Sequence, residues 1–304
     1  MAEQQPPTKQ EVQAWLRERR NWGRWGKDDS AGAINLITPE KRLAAIKLAR
    51  TGRAVSISRE YPKTAGPLNP SPAQHFMRML HRETGGAVVD YYGFVYHGYT
   101  TTHIDALCHV WDGDGMWNGR DPKVELDTQG AKFADVTAWS HGIITRAVLL
   151  DVPRHRGTEY VTVDRPVHGW DLEAVAKAQG VALQPGDALL VYSGREKWQT
   201  DHPGDYLGAP PSPGLHASCM KFIRDHDVAL LGWDMMDASP NEYGLAWGVH
   251  PVLYAYGVAL LDNALLQPLA EACAQEKRYE MLLMVLPLVV QGGTGSPVNP
   301  VAMF

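Results

Sequence analysis

Three histidines and an aspartate fall within thirteen residues in the stretch His97-Gly-Tyr-Thr-Thr-Thr-His103-Ile-Asp105-Ala-Leu-Cys-His109, all four at odd positions. In an extended chain, side chains of one parity share a face. His103 and Asp105 therefore direct an imidazole and a carboxylate at one point. A borderline divalent ion such as zinc or manganese accepts that mixed nitrogen and oxygen set. The threonine run at 100–102 favours strand or tight loop over helix. The pattern reads as a metal site. The bland alternative is a chance cluster of half-buried, hydrogen-bonding histidines, and the shared parity and short spacing count against it.

Distance constrains the ligand set. Consecutive extended residues advance about 3.3 Å, so His97 and His103 would lie roughly 20 Å apart on a straight strand. Ligands of one ion sit about 2 Å from it. Either the chain bends, which Gly98 permits, or His97 serves another purpose. His109 meets the same condition relative to Asp105, and a turn at Ala106-Leu107 would bring it back. A histidine beside a metal but unbound suits general acid–base work, because its ordinary pKa lies near neutrality.

His103-Ile-Asp105-Ala-Leu-Cys-His109 resembles the core of the signature His-x-Gly-Thr-His-x-Asp-x-Pro-x-His. That signature marks the metal-dependent cyclase-like hydrolases, which include bacterial kynurenine formamidases and isatin hydrolase. Asn21-Trp-Gly-Arg-Trp-Gly-Lys-Asp-Asp-Ser-Ala-Gly-Ala-Ile-Asn35, Met116-Trp-Asn-Gly119 and Gly292-Gly-Thr-Gly-Ser-Pro-Val298 resemble the longer members of the same family. The likeness thus covers most of the chain. Aligned on His103, the family's first histidine falls on Tyr99, its glycine on Thr101 and its proline on Leu107. Tyrosine is a poor zinc ligand at neutral pH, since its phenol must first lose a proton of pKa about 10. His97, two residues upstream, is the obvious substitute.

In kynurenine formamidases a second metal is held by a later histidine and a glutamate twelve residues further on. Here His250 fits, and the residue twelve on is Asp262, one methylene shorter. The resemblance therefore implies one or two zinc or manganese ions on His103 and Asp105, with His97, His250 and Asp262 as further ligands. It assigns His109 to acid–base catalysis. It also implies a swivelling β/β/α architecture and assembly as a homodimer or homotetramer. Read without the family, Pro251 suits the first turn of a helix and Gly257 the position past its end. His250 then stands at a helix start and Asp262 at the end of an apolar strand, places where α/β proteins put chemistry. Ordinary helix-entry and turn roles are the alternative.

The elements that must position these residues are legible in outline. Thr8-Lys-Gln-Glu11 reads as a capping box, and Thr38-Pro-Glu opens a second helix expected to run to about Arg50. Between them, the Trp-, Gly- and Asp-rich segment 21–35 reads as a long loop. Strands are expected at 54–59, 147–152, 188–192, 228–233, 258–261 and near 282–286, and helices at 171–179 and 215–225. Strands and helices without strict alternation predict an α/β domain with a mixed sheet, carrying residues 1–50 as an N-terminal helical extension of a single 1–304 domain. Asp234 and Asp237, after a predicted strand, either orient the site or cap turns, the second being the commoner use. Arg195 either forks a substrate carboxylate or lies on the surface. Trp22, Trp25, Tyr91, Tyr92, Trp111 and Trp117 are candidates to wall an apolar pocket.

Bulk properties match an ordinary soluble enzyme acting on a small molecule. The 304 residues are 44% hydrophobic and 21% charged, with a formal net charge of −5. No basic block recommends nucleic acid. The opening Met-Ala-Glu-Gln-Gln-Pro-Pro carries no signal-peptide pattern, and the longest apolar run, 281–290, is too short for a membrane span and contains Pro287. Three unpaired cysteines point to reduced thiols, so cytoplasm is the expected location. Serine-hydrolase, zincin and phosphate-loop motifs do not occur in the sequence. The expected activity is metal-dependent hydrolysis of an amide, lactam, imide or lactone bond. A metal-assisted lyase or dehydratase needs the same parts, and a non-catalytic metabolite-binding protein is the third reading, kept alive by Tyr99.

Overall fold

The computed structural model describes residues 4–66 and 69–304. In chain order the strands are β1 Ala54–Ser56, β2 Gln74–Arg82, β3 Gly85–Gly93, β4 His103–Asp105, β5 Leu126–Asp127, β6 Gly130–Ala131 and β7 Ile143–Asp151. They continue as β8 Ala188–Tyr192, β9 Leu230–Trp233, β10 Ala259–Asp262, β11 Glu280–Val285, β12 Gly295–Pro297 and β13 Val301–Met303. The helices are α1 Lys9–Glu18, α2 Pro39–Ile46, α3 Pro122–Glu125, α4 Val152–Arg156 and α5 Gly169–Gln179. After them come α6 Arg195–Asp201, α7 Cys219–Asp225, α8 Val252–Tyr256 and α9 Gln267–Glu276.

Nine strands form one sheet in the order β1-β13-β11-β7-β8-β9-β10-β4-β12. The middle, β7-β8-β9-β10, is parallel, and its strands are almost wholly buried. That burial on both faces explains why their sequences run apolar without alternation. Both flanks of the sheet pair antiparallel. The mixed α/β sheet expected from the sequence is therefore present. Its consequence for the site is local: β4 lies between β10 and β12, so His103 faces Asp262 across one strand boundary and Asp105 faces Gly295 across the other.

The N-terminal segment packs into the same core, burying Val12, Leu16, Ala33, Ile34 and Ile37. Thr8 and Glu11 form the capping box, with Thr8 N–H donating to the Glu11 carboxylate at 2.7 Å. Segment 21–35 is less of a free loop than its composition implies: it closes with a 3-10 turn at Gly32–Leu36. It is also laced to α8, the Asn21 amide and Trp22 indole donating to the carbonyls of Tyr256 and Tyr254.

Several boundaries differ from expectation. The second helix stops at Ile46, the first strand at Ser56, and α7 begins only at Cys219. The expected aromatic pocket does not form. Trp117 is fully buried and Trp22 lies on the N-terminal packing surface, while Tyr91 and Tyr92 stand exposed on the β2-β3 hairpin. Cys108, Cys219 and Cys273 are free and buried. Among the described residues no helix is long and apolar enough to cross a membrane.

Candidate metal centre

Strand β4 delivers His103 and Asp105 to one face, both 1% exposed. His103 Nδ1 lies 2.8 Å from the Thr101 carbonyl. A carbonyl only accepts, so that nitrogen carries a proton, and Nε2 faces Asp105 Oδ1 at 3.4 Å, bearing a proton when the ring is charged and free to give its lone pair to a metal once that proton is lost. Across the strand boundary stands Asp262, whose Oδ1 accepts from the Trp233 indole at 2.5 Å. His103, Asp105 and Asp262 each offer one ligand atom, all within 4.8 Å of one another.

His97 reaches the same carboxylate because the chain turns sharply at Gly98, whose φ of 120° is open to glycine. The straight-strand separation of roughly 20 Å shrinks to 5.2 Å between the His97 and His103 rings. His97 Nε2 pairs with Thr294 Oγ1 at 3.0 Å, and Nδ1 stands 2.9 Å from Asp105 Oδ1. Gly295 makes room for this approach. A Cβ there would meet the Ile104 carbonyl oxygen at 2.5 Å and the His97 ring at 3.0 Å. Tyr99 goes elsewhere, against Tyr206. Burial pushes its phenol up to about 12, so it stays protonated and unfit as a ligand. His97, not Tyr99, stands beside Asp105.

The turn after β4, with His109 N–H donating to the Ala106 carbonyl, folds His109 back over the site. Its ring stacks on His97 at 3.9 Å and 2°, and its Nε2 is 3.8 Å from Asp105 Oδ2. His97, Asp105 and His109 make a second ligand triad that shares Asp105 with the first. Burial lowers the His109 pKa to about 4 against the pull of Asp105, so the ring is neutral near pH 7 and only weakly basic in the metal-free protein.

His250 comes from the turn before α8. Its Nδ1 bonds Asp237 Oδ2 at 2.5 Å, and its Nε2 faces Asp262 Oδ2 at 3.4 Å. An outer carboxylate on one ring nitrogen fixes the tautomer and aims the other nitrogen inward, the usual arrangement behind a metal-binding histidine. Asp237 thus orients the site, whereas Asp234 caps a turn, accepting from the N–H groups of Ser193, Gly194 and Arg195. Arg195 is neither a substrate fork nor a surface residue. It is 3% exposed and clamps the metal loop, donating to the carbonyl of Tyr99 and to Asn263 Oδ1. The Asn263 amide in turn donates to Gly98 and Thr101. Their places after predicted strands singled out Asp237 and Arg195 in the sequence but not their partners, and no local pattern marked Asn263, whose amide acts on carbonyls far along the chain.

The donor set fits a cation. Asp105 is fully buried, yet neither carboxylate oxygen receives a well-aligned hydrogen bond, His97 Nδ1 and His103 Nε2 only facing Oδ1 at 2.9 and 3.4 Å. Burial disfavours the Asp105 charge, but His109 and His103 outweigh it and hold the carboxyl well below its ordinary range. Burial likewise opposes charge on His103 and His250. Asp105 nonetheless lifts His103 to about 8, and Asp237 holds His250 well above its ordinary value. Metal takes neutral imidazole, so loading near pH 7 must displace the protons these rings carry in the metal-free state. Zinc titrated into metal-free protein in weak buffer is expected to release about one to two protons per chain near pH 7 and fewer near pH 9. An indicator dye reads this directly, and silent loading at both pH values would mean that these histidines do not ligate.

Against known proteins, the Cyclase family pattern matches residues 55–240, a span that contains β4 and its histidines. The chain belongs to the Cyclase family. A crystal structure described as a novel cyclase superposes with a TM-score of 0.84 at 28% identity, covering 95% of this chain and 99% of the other. Isatin hydrolase A from Ralstonia solanacearum shares the fold, with a TM-score of 0.59 at 18% identity over 87% of this chain and 97% of its own. A predicted metal-dependent hydrolase from Bacillus stearothermophilus does so with a TM-score of 0.50 at 12% identity, over 83% and 98% of the two chains. No curated protein sequence matches significantly. The cyclase-like fold expected from the motif is therefore shown, whereas Tyr99 marks a departure from the motif's usual first histidine.

Proposed function

We propose that the protein is a metal-dependent hydrolase that opens an amide, lactam, imide or lactone bond in a small substrate. The observation that carries the reading is the fully buried Asp105 carboxylate, which receives no well-aligned hydrogen bond and is ringed by imidazoles and Asp262. Such a carboxylate costs several kcal/mol unless a cation or hydrogen bonds compensate it. His103, Asp105 and Asp262 would hold one zinc or manganese ion, with His250 beside Asp262. His97 would hold the same ion or a second one through Asp105. A bound divalent ion supplies Lewis acidity, polarising the carbonyl and bringing water's pKa toward neutrality.

The chain's own residues do the rest. His109, neutral and partly buried beside Asp105, takes the proton from the attacking water and returns it to the leaving nitrogen or oxygen. Asp237 keeps the His250 ring in register. A cavity of about 160 Å³ adjoins the site, lined by Asp237, Tyr99 and Trp247, whose ring lies 5.7 Å from that of His250. A cavity of about 150 Å³ takes one benzene, so the space suits a single ring or a group of that size. Turnover in heavy-oxygen water tests the reaction class. Hydrolysis places one labelled oxygen in the acid product, whereas a lyase working with the same parts leaves the product unlabelled.

A further inference from the structure

A second cavity, about 580 Å³, lies between α1, α5 and α7, none of which carries a residue of the metal centre. Its size falls in the range that small-molecule sites occupy. Each helix turns one face to it. Glu11 and Trp15 recur four apart on α1, Trp170 and Glu173 three apart on α5, and Phe222 and Asp225 three apart on α7. Gly169 lets α5 and α7 meet closely at the floor. A Cβ there would lie 2.7 Å from the Ser218 carbonyl oxygen, and its N–H donates to Ser218 Oγ at 3.1 Å. Trp170 is held by stacking on His168, ring centroids 4.0 Å apart at 9°. Burial lowers the His168 pKa to about 4, so that ring brings no positive charge near pH 7.

Other tryptophans of the N-terminal segment have a guanidinium over the ring, Arg20 on Trp22 at 4.0 Å and Arg24 on Trp25 at 4.8 Å. Among the described residues no lysine or arginine covers Trp15 or Trp170. The charge around these two rings is negative. Lys221 is spent on Asp225, 2.5 Å away. Glu11 is bound to the Thr8 hydroxyl and Glu173 lies 3.9 Å from His226, and no lysine or arginine among the described residues pairs with either. An uncovered indole beside free carboxylates attracts an organic cation through the ring quadrupole and the carboxylate charge together. We propose that this cavity binds a small organic amine or quaternary ammonium, its cationic head against Trp15 and Trp170 and its apolar body against Phe222. A neutral ligand gains nothing from the two carboxylates, and an anion is repelled by them. The cavity stands apart from the metal centre, so the inference does not depend on which reaction that centre performs.

Calorimetric titration of the protein with benzyltrimethylammonium tests this, with benzyl alcohol as the neutral counterpart. About one equivalent per chain is expected to bind with a Kd of about 1 mM or below. The cation should bind at least about 10-fold more tightly than the alcohol. Trp170→Ala and Glu173→Lys are each expected to weaken the cation by at least about 10-fold. Treatment with chelator should leave its binding unchanged, which separates this cavity from the centre at Asp105. The Glu173 side chain is 61% exposed, so Glu173→Lys keeps the fold and decides the matter should Trp170→Ala misfold. No saturable binding of the cation up to about 10 mM overturns the proposal. So does benzyl alcohol binding as tightly as the cation, or cation binding that Glu173→Lys leaves unmoved.

Discussion

Asp105→Ala is expected to lose metal and turnover together. Asp105 is the one residue common to both triads, its Oδ1 facing His97 and His103 and its Oδ2 facing His109. Removing it takes away the shared anionic ligand of any ion held there. Losing only an outer partner of a metal ligand costs about 10–100-fold in affinity or activity, so losing the shared inner one should exceed that range. The fold should survive. The His103 imidazole, which Asp105 keeps charged in the metal-free protein, can release its proton once the carboxylate is gone, which avoids stranding a buried charge. Circular dichroism of the variant should therefore match the wild type while bound metal falls below detection. Wild-type metal content in this variant would place the ion elsewhere.

His109→Ala is expected to separate chemistry from metal binding. General acid–base catalysis contributes about 10²–10⁴-fold. The variant should lose that much in kcat with KM little changed, and it should keep the metal content of the wild type. His109 is suited to the role by position, its Nε2 3.8 Å from Asp105 Oδ2 and its ring held by the stack on His97, although burial lowers its pKa to about 4 in the metal-free protein. Proximity to Asp105 also makes it a possible donor to an ion. The two roles give different results: a drop in metal content alongside turnover would make His109 a ligand, and full turnover would remove it from the mechanism.

The sequence carried more of this centre than of the surface around it. Shared parity placed His103 and Asp105 together, and the structure has them on one short strand. The return of His109 needed only a turn, and the chain makes one beside Ala106. The bend that brings in His97 was permitted by Gly98, but its direction depends on distant groups. Arg195 and Asn263 pull on the carbonyls around Tyr99 from more than ninety positions away, and nothing local announces them. Asp237 looked like a turn former because its partner, His250, lies thirteen residues on in an irregular segment.

Central strands were legible because double-sided burial demands apolar runs, as in 188–192. The β2-β3 arm was not, because most of its residues are exposed and the alternation that marks a strand is missing. The six aromatics were grouped by type alone, and packing distributed them among the core, the N-terminal surface and the arm.

The most direct test is elemental mass spectrometry of protein purified without chelator, run beside Asp105→Ala. The account predicts about one or two equivalents of zinc or manganese per chain in the wild type and none in the variant. A wild type that holds no metal even after reconstitution with both ions would contradict it.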